Sequence, residues 1–308
     1  MDLGIDIIVV YTVLLVVSLW CNGIVTVSRQ DFRELFAPLA NRRLLGGSLL
    51  IDVLLVPAVM VTLIFLLPGI TDGMRIGLVL IAAASTGPIG AVLTRIVRGD
   101  VPLATSLITA FGVLNLVTVP LIGALLLGRT VPFPLVPVMS SMLQLVFLPL
   151  AIGTVWRRIA VKRKVALARR EAQMRVLSVI STVFLAAAAL VALAVDFVQV
   201  VKMLAGPIGV LALLTAAATT LAAFAVGDSR ARRVTLTIVL NARAGGLALT
   251  VTALHFAHTP DVRATVVAFS IVTQLFPTLT VLIRRGLSGY SLDADDSAAP
   301  FFNRDGGR

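Results

Sequence analysis

Two ionisable residues, Asp52 and Arg243, lie inside long apolar runs of the chain. If such a run crosses lipid, an ionised side chain costs at least about 2.5–3.5 kcal/mol, so it must face a protein interior or a cavity. A carboxylate and a guanidinium in that setting have two uses. They can form a buried pair that fixes one helix against another. Alternatively, the guanidinium can stand as a fixed cation in a binding site, with the carboxylate as its counter-ion and a carrier of protons.

The arginine sits in one of two unusual segments. Ser85-Thr86-Gly87-Pro88-Ile89-Gly90 and Asn241-Ala242-Arg243-Ala244-Gly245-Gly246 each interrupt an apolar run near its centre. Pro88 lacks a backbone donor and clashes with the preceding turn, while Gly87, Gly90, Gly245 and Gly246 tolerate unwound backbone. Such backbone at membrane depth is tolerated only where it is buried in protein or lines a cavity. Interruptions at corresponding places in two halves of a chain point to the binding site of a secondary transporter. Ser85, Thr86, Thr109, Asn115 and Asn241 are candidates for the wall of that cavity, and each would serve equally well in an interhelical hydrogen bond.

The elements that must position these residues are membrane spans. The chain is 58% apolar and 13% charged, against about 25% charged in an ordinary globular protein. The net charge of +11 would suggest nucleic acid if the basic residues clustered on one face. They lie instead between apolar runs, which excludes that class. Cys21 is the only cysteine, so neither an internal disulfide nor a cysteine zinc site can form. No Ser/His/Asp set or metal-ligand cluster occurs within the runs, and His255 and His258 fall at the outer end of theirs. The chain therefore reads as a non-enzyme without cofactor or metal. Its first residues are acidic and lack the basic region of a cleaved signal, so the first run is kept as a span.

A spanning helix needs about 20 apolar residues. Runs near 5–27, 44–67, 75–97, 102–128, 134–155, 176–200, 204–226, 233–256 and 263–283 meet that requirement, predicting an all-α polytopic membrane protein with nine transmembrane helices. An odd count requires alternate loops to be basic and cytoplasmic. Segments 28–43, 95–100, 157–175, 228–233 and 284–308 hold twenty-one of the 26 Lys and Arg, the opposite loops hold four, and the remaining one is Arg243. The N-terminus is then outside and the C-terminus cytoplasmic, in an inner (plasma) membrane. Asp52 lies about nine residues from the cytoplasmic end of its run and Arg243 about eleven, so at ~1.5 Å per residue the two share a depth and could pair.

Residues 1–155 form a first half with the helix that opens the second, 156–175 a basic cytoplasmic loop, 176–285 the rest of the second half, and 286–308 a tail too polar to fold. The basic loop suits anionic lipid.

The stretches Gly77-Leu78-Val79-Leu80, Ser85 to Ala91 and Gly99-Asp100-Val101 resemble the first crossing helix of the bile acid:sodium symporter family. Val234 to Ile238, Gly246-Leu247 and Leu254-His255-Phe256 resemble its second, and Asp31-Phe32 and Pro57 fit as well. The resemblance spans roughly 5–285. It implies an inverted repeat in its nine-helix form. The first, fifth and sixth helices would form a panel, and the other six a core containing the two broken crossing helices.

It does not imply sodium coupling. The family's first-site Ser-Asn pair is Gly90-Ala91 here, and the hydroxyls of its next helix are Ala104 and Ile108. Where its second crossing carries Glu, then Gly, then Gln-Asn, this chain has Val239, Asn241, Arg243 and Ala244. Hard cations need several oxygen ligands, which these residues do not offer. The counterparts of the family's second-site glutamines are Asp52 and Arg243, so a guanidinium takes the place of the lost ion. The expectation is a secondary carrier of a small organic anion, not sodium-coupled, working in the lipid bilayer. The alternative from another class is a non-transporting receptor or scaffold on the same fold. Substrate identity and oligomeric state have no signature in the chain.

Overall fold

A computed structural model describes residues 3–29, 41–128, 133–163 and 165–287. Of the expected polar tail 286–308, Gly286 and Leu287 still belong to the last helix, and the remainder lies outside the described residues, as does the Asp31-Phe32 motif. The described residues contain eleven helices and no strand: α1 (Leu3–Arg29), α2 (Arg42–Leu66), α3 (Asp72–Ala83), α4 (Ile89–Ile96), α5 (Val101–Leu127), α6 (Leu135–Lys162), α7 (Leu167–Ala205), α8 (Pro207–Val226), α9 (Arg230–Asn241), α10 (Gly245–His255) and α11 (Pro260–Leu287). Seven of these (α1, α2, α5, α6, α7, α8 and α11) are long and apolar enough to cross a membrane. The other four form two pairs, α3 with α4 and α9 with α10, each separated by a few non-helical residues. The protein is thus a polytopic helical membrane protein.

Local chemistry sets the helix boundaries. The side chains of Thr71, Asp100 and Ser229 accept hydrogen bonds from the backbone N–H groups of Met74, Leu103 and Arg232, satisfying donors that a helix start leaves open. Pro102, Pro207 and Pro260 stand in first turns, where no N–H is needed. Within α2 and α6 the helix widens to a π turn over Leu50–Leu55 and Leu143–Phe147. Each ends just before a proline, Pro57 or Pro149, and the wider turn makes room for the ring where the normal hydrogen bond is missing. Asp52 is in the first of them.

The segment expected as a basic loop is largely helical, since α6 runs on to Lys162 and α7 begins at Leu167. Arg, Lys, Ala, Leu and Glu are all good helix formers, so nothing in 157–175 stops the helix where the apolar run stops.

The helices sort by burial. Only 17% of the apolar window of α1 and of α7, and 22% of that of α6, is buried, against 44% for α8 and 39% for α5 and α11. α1 packs most extensively on α7 and α6, so these three form an outer layer with a broad apolar face toward lipid. The inner layer holds the most enclosed backbone: Ile76 to Ala83 of α3 and Val234 to Asn241 of α9 are buried throughout.

Candidate functional site

The two helix interruptions meet. Gly87 N–H donates to the Ala242 carbonyl at 2.6 Å and Ala244 N–H to the Ser85 carbonyl at 2.7 Å, giving an isolated antiparallel bridge between Thr86 and Arg243. Each break thus supplies hydrogen-bond partners that the other lost by leaving the helix. The approach is close enough to require glycine: a Cβ on Gly87 would lie 2.9 Å from Ala244 Cα and 3.0 Å from the Arg243 carbonyl oxygen. Thr86 Oγ1 donates to the Val239 carbonyl at 2.6 Å. Ser85 N–H donates to Asn115 Oδ1 at 2.7 Å, and Thr118 Oγ1 donates to the Ala83 carbonyl at 3.1 Å, so α5 supports the first break from behind.

Arg243 is held on three sides. Its Nη1 donates to Asp52 Oδ1, its Nη2 to the Ala82 carbonyl, and its Nε to the Ile81 carbonyl at 3.2 Å. The two carbonyls belong to the last turn of α3, where the break leaves acceptors without helical partners. Side-chain exposure is 2% for Arg243 and 1% for Asp52, so the pair is sealed inside the inner layer. The second carboxylate oxygen, Asp52 Oδ2, is buried and has no hydrogen-bond partner among the described residues.

A cavity of about 90 Å³ adjoins the breaks, between the two layers. Its wall includes Asn22, Gly23 and Thr26 of α1, Thr86 and Pro88 at the first break, Thr109, Gly112 and Asn115 of α5, Leu150 of α6, and Ala244 and Leu247 at the second break. Of the residues expected there, Thr86, Thr109 and Asn115 line it. Ser85, Asp52 and Arg243 stand behind the wall. Asn241 is turned away, with its amide on the Thr237 carbonyl at 2.8 Å and Thr220 Oγ1 at 3.3 Å. Gly90 and Gly246 serve packing: a Cβ would stand 3.3 Å from Ala242 Cβ at the first and 3.1 Å from Leu185 at the second. At Gly245 a Cβ would stand 2.7 Å from Ser270 Oγ.

Asn22 and Thr26 were not among the sequence candidates, although Ser18, Asn22 and Thr26 make an i, i+4 polar stripe that shares one helix face. Among the described residues no three His, Cys, Asp or Glu side chains are grouped to hold a metal ion.

Two interrupted helices are thus joined at their breaks, beside a cavity between two helical layers. A family model, the Sodium Bile acid symporter family, matches residues 13–207, and the chain belongs to that family. The match takes in α2, the first break and α5, and stops before the break that carries Arg243. A search of curated proteins found no match.

Proposed function

We propose that the protein is a secondary carrier of a small organic anion, working by alternating access without sodium. The observation that carries this reading is the lodging of Arg243. Its guanidinium meets one carboxylate oxygen and two backbone carbonyls at a helix break, a ligand set of the kind that a hard cation would take. A tethered cation in that place stabilises the break permanently, so no dissolved cation needs to bind for the site to form. Asp52 orients the guanidinium, and its unpartnered oxygen is where a proton would attach in a proton-driven cycle.

The anion is drawn in by other groups. Arg243 is neutralised by Asp52 and lies behind the wall, whereas α4 and α10 begin at the breaks beside the cavity and carry partial positive charge at those ends. Asn22, Thr26, Thr86, Thr109 and Asn115 supply polar groups around it. At about 90 Å³ the cavity is well below the roughly 300 Å³ at which small-molecule pockets begin, so it must widen to admit a carboxylate.

Counted with each broken pair as one span, the helices of the described residues make nine spans. Basic segments then lie on the cytoplasmic side of an inner (plasma) membrane, with the N-terminus outside and the C-terminus inside. Helices α1 to α5 make the first half of the inverted repeat and α6 to α11 the second, and the basic segment 156–175 lies against anionic lipid. The outer layer of α1, α6 and α7 serves as the panel, and the inner layer as the moving core. The carrier reading is tested by thermal unfolding of the purified protein across a series of small carboxylates, in sodium chloride and in choline chloride. At least one carboxylate is expected to raise Tm equally in both salts and to exchange across proteoliposomes. A stabilisation that requires sodium would contradict the coupling claim, and binding without exchange would favour a receptor.

A further inference from the structure

A second ion pair, with its carboxylate buried and its guanidinium partly exposed, joins the two layers. Arg263 at the start of α11 donates through Nε and, at 2.9 Å, through Nη2 to the two carboxylate oxygens of Asp196 on α7. Asp196 is where α7 leaves helical dihedrals, with φ −107° and ψ 17°. The guanidinium carbon also stands 6.0 Å from the ring centroid of Tyr11 on α1, so the cation is shared between a carboxylate and an aromatic face.

Other contacts between the layers gather at the same end of the bundle. Gln199 of α7 donates to Asp261 of α11 at 2.8 Å, Ser141 of α6 meets His255 of α10 at 2.8 Å, and the rings of Phe133 and Phe256 lie 6.4 Å apart. The cavity lies between the same layers but extends the other way, toward Thr26 near the end of α1 and Leu150 in α6. The bundle is therefore bonded at one end of the seam and hollow toward the other.

We propose that Asp196, Arg263 and Tyr11 form a latch that closes the outer side of the carrier and must part before the cavity can open outward. This rests on the carrier reading above. A pair at a seam that admits water as it parts can break reversibly, because neither charge is then left buried alone. The pair's side-chain exposures of 7% and 11% place it nearer to such an opening than Asp52 and Arg243.

The test needs no transported substrate, so it can fail independently of the carboxylate experiment. In a Cys21→Ser background, a single cysteine is placed either at Leu15, which is fully buried toward the latch, or at Leu19, one turn further on in the cavity wall. A membrane-impermeant maleimide is added to proteoliposomes from each face in turn. With Asp196→Asn, labelling of the Leu15→Cys site from the α1 N-terminal face is expected to rise by about ten-fold, and labelling of the Leu19→Cys site from the other face to fall. Arg263→Lys, which keeps the charge but loses the two-pronged bond, should give a smaller change in the same directions, and serves if Asp196→Asn does not fold. An unchanged Leu15→Cys rate, or a Leu19→Cys rate that rises or stays the same, would overturn the latch, because a merely loosened bundle exposes both sites.

Discussion

The two arginine–aspartate pairs use the same chemistry in opposite mechanical settings. Asp52 and Arg243 lie within the inner layer, and the guanidinium is also bound to two carbonyls of α3. Asp196 and Arg263 bridge the outer and inner layers, with the second cation face against Tyr11 rather than backbone. The first pair closes a break in the chain's own hydrogen bonding, so the site cannot keep its shape without it. The second closes a seam between bodies that separate in the proposed transport cycle. Burial alone does not distinguish a permanent clamp from a breakable one; what the pair joins does.

Substitutions can break that comparison at several points. Arg243→Ala leaves Asp52 charged and buried with two unpartnered carbonyls beside it, and should cost about 3–5 kcal/mol of stability in a denaturant or thermal melt. Gly87→Ala forces the breaks apart against Ala244 and should cost about 1–3 kcal/mol while abolishing carboxylate-dependent stabilisation. If it left both unchanged, the contact between the breaks would not be shaping the site. Arg263→Lys should cost only about 1 kcal/mol, because the seam it bridges can admit water, and its main effect should be on cavity accessibility. Thr109→Val should leave the unfolding free energy within about 0.5 kcal/mol of wild type, since its hydroxyl bonds back to the Thr105 carbonyl of its own helix, yet should weaken carboxylate binding measured by the same melts.

Much of this architecture could be read from residue types and spacing. The apolar runs correspond to the observed helices, two of them broken, and Pro88 with its flanking glycines marks the first break. Counting residues along each run brought Asp52 and Arg243 to one depth, where the structure pairs them. The latch could not be found that way. Arg263 opens an apolar run and reads as an ordinary flanking cation, while Asp196 belongs to a helix 67 residues away in sequence. Nothing local couples them. The π turn beneath Asp52 was equally hidden, because one extra residue in a turn barely disturbs an apolar pattern with no polar face. Pro57 was its only local sign. Asn22 and Thr26 had a legible spacing, but amides and hydroxyls in membrane helices so often bond within their own helix that the stripe carried little weight. The breaks were legible because proline and glycine act on the backbone directly, whereas the seam depends on how separate helices dock.

Whether Arg243 is a built-in replacement for a dissolved cation can be read from thermal unfolding of the wild type and of Arg243→Ala in sodium chloride and in choline chloride. The wild type should unfold at the same temperature in both salts. Arg243→Ala, left with Asp52 and the two α3 carbonyls facing an empty lodging, should unfold at a higher temperature in sodium than in choline. Sodium-dependent stabilisation of the wild type, or a variant indifferent to the cation, would contradict the claim.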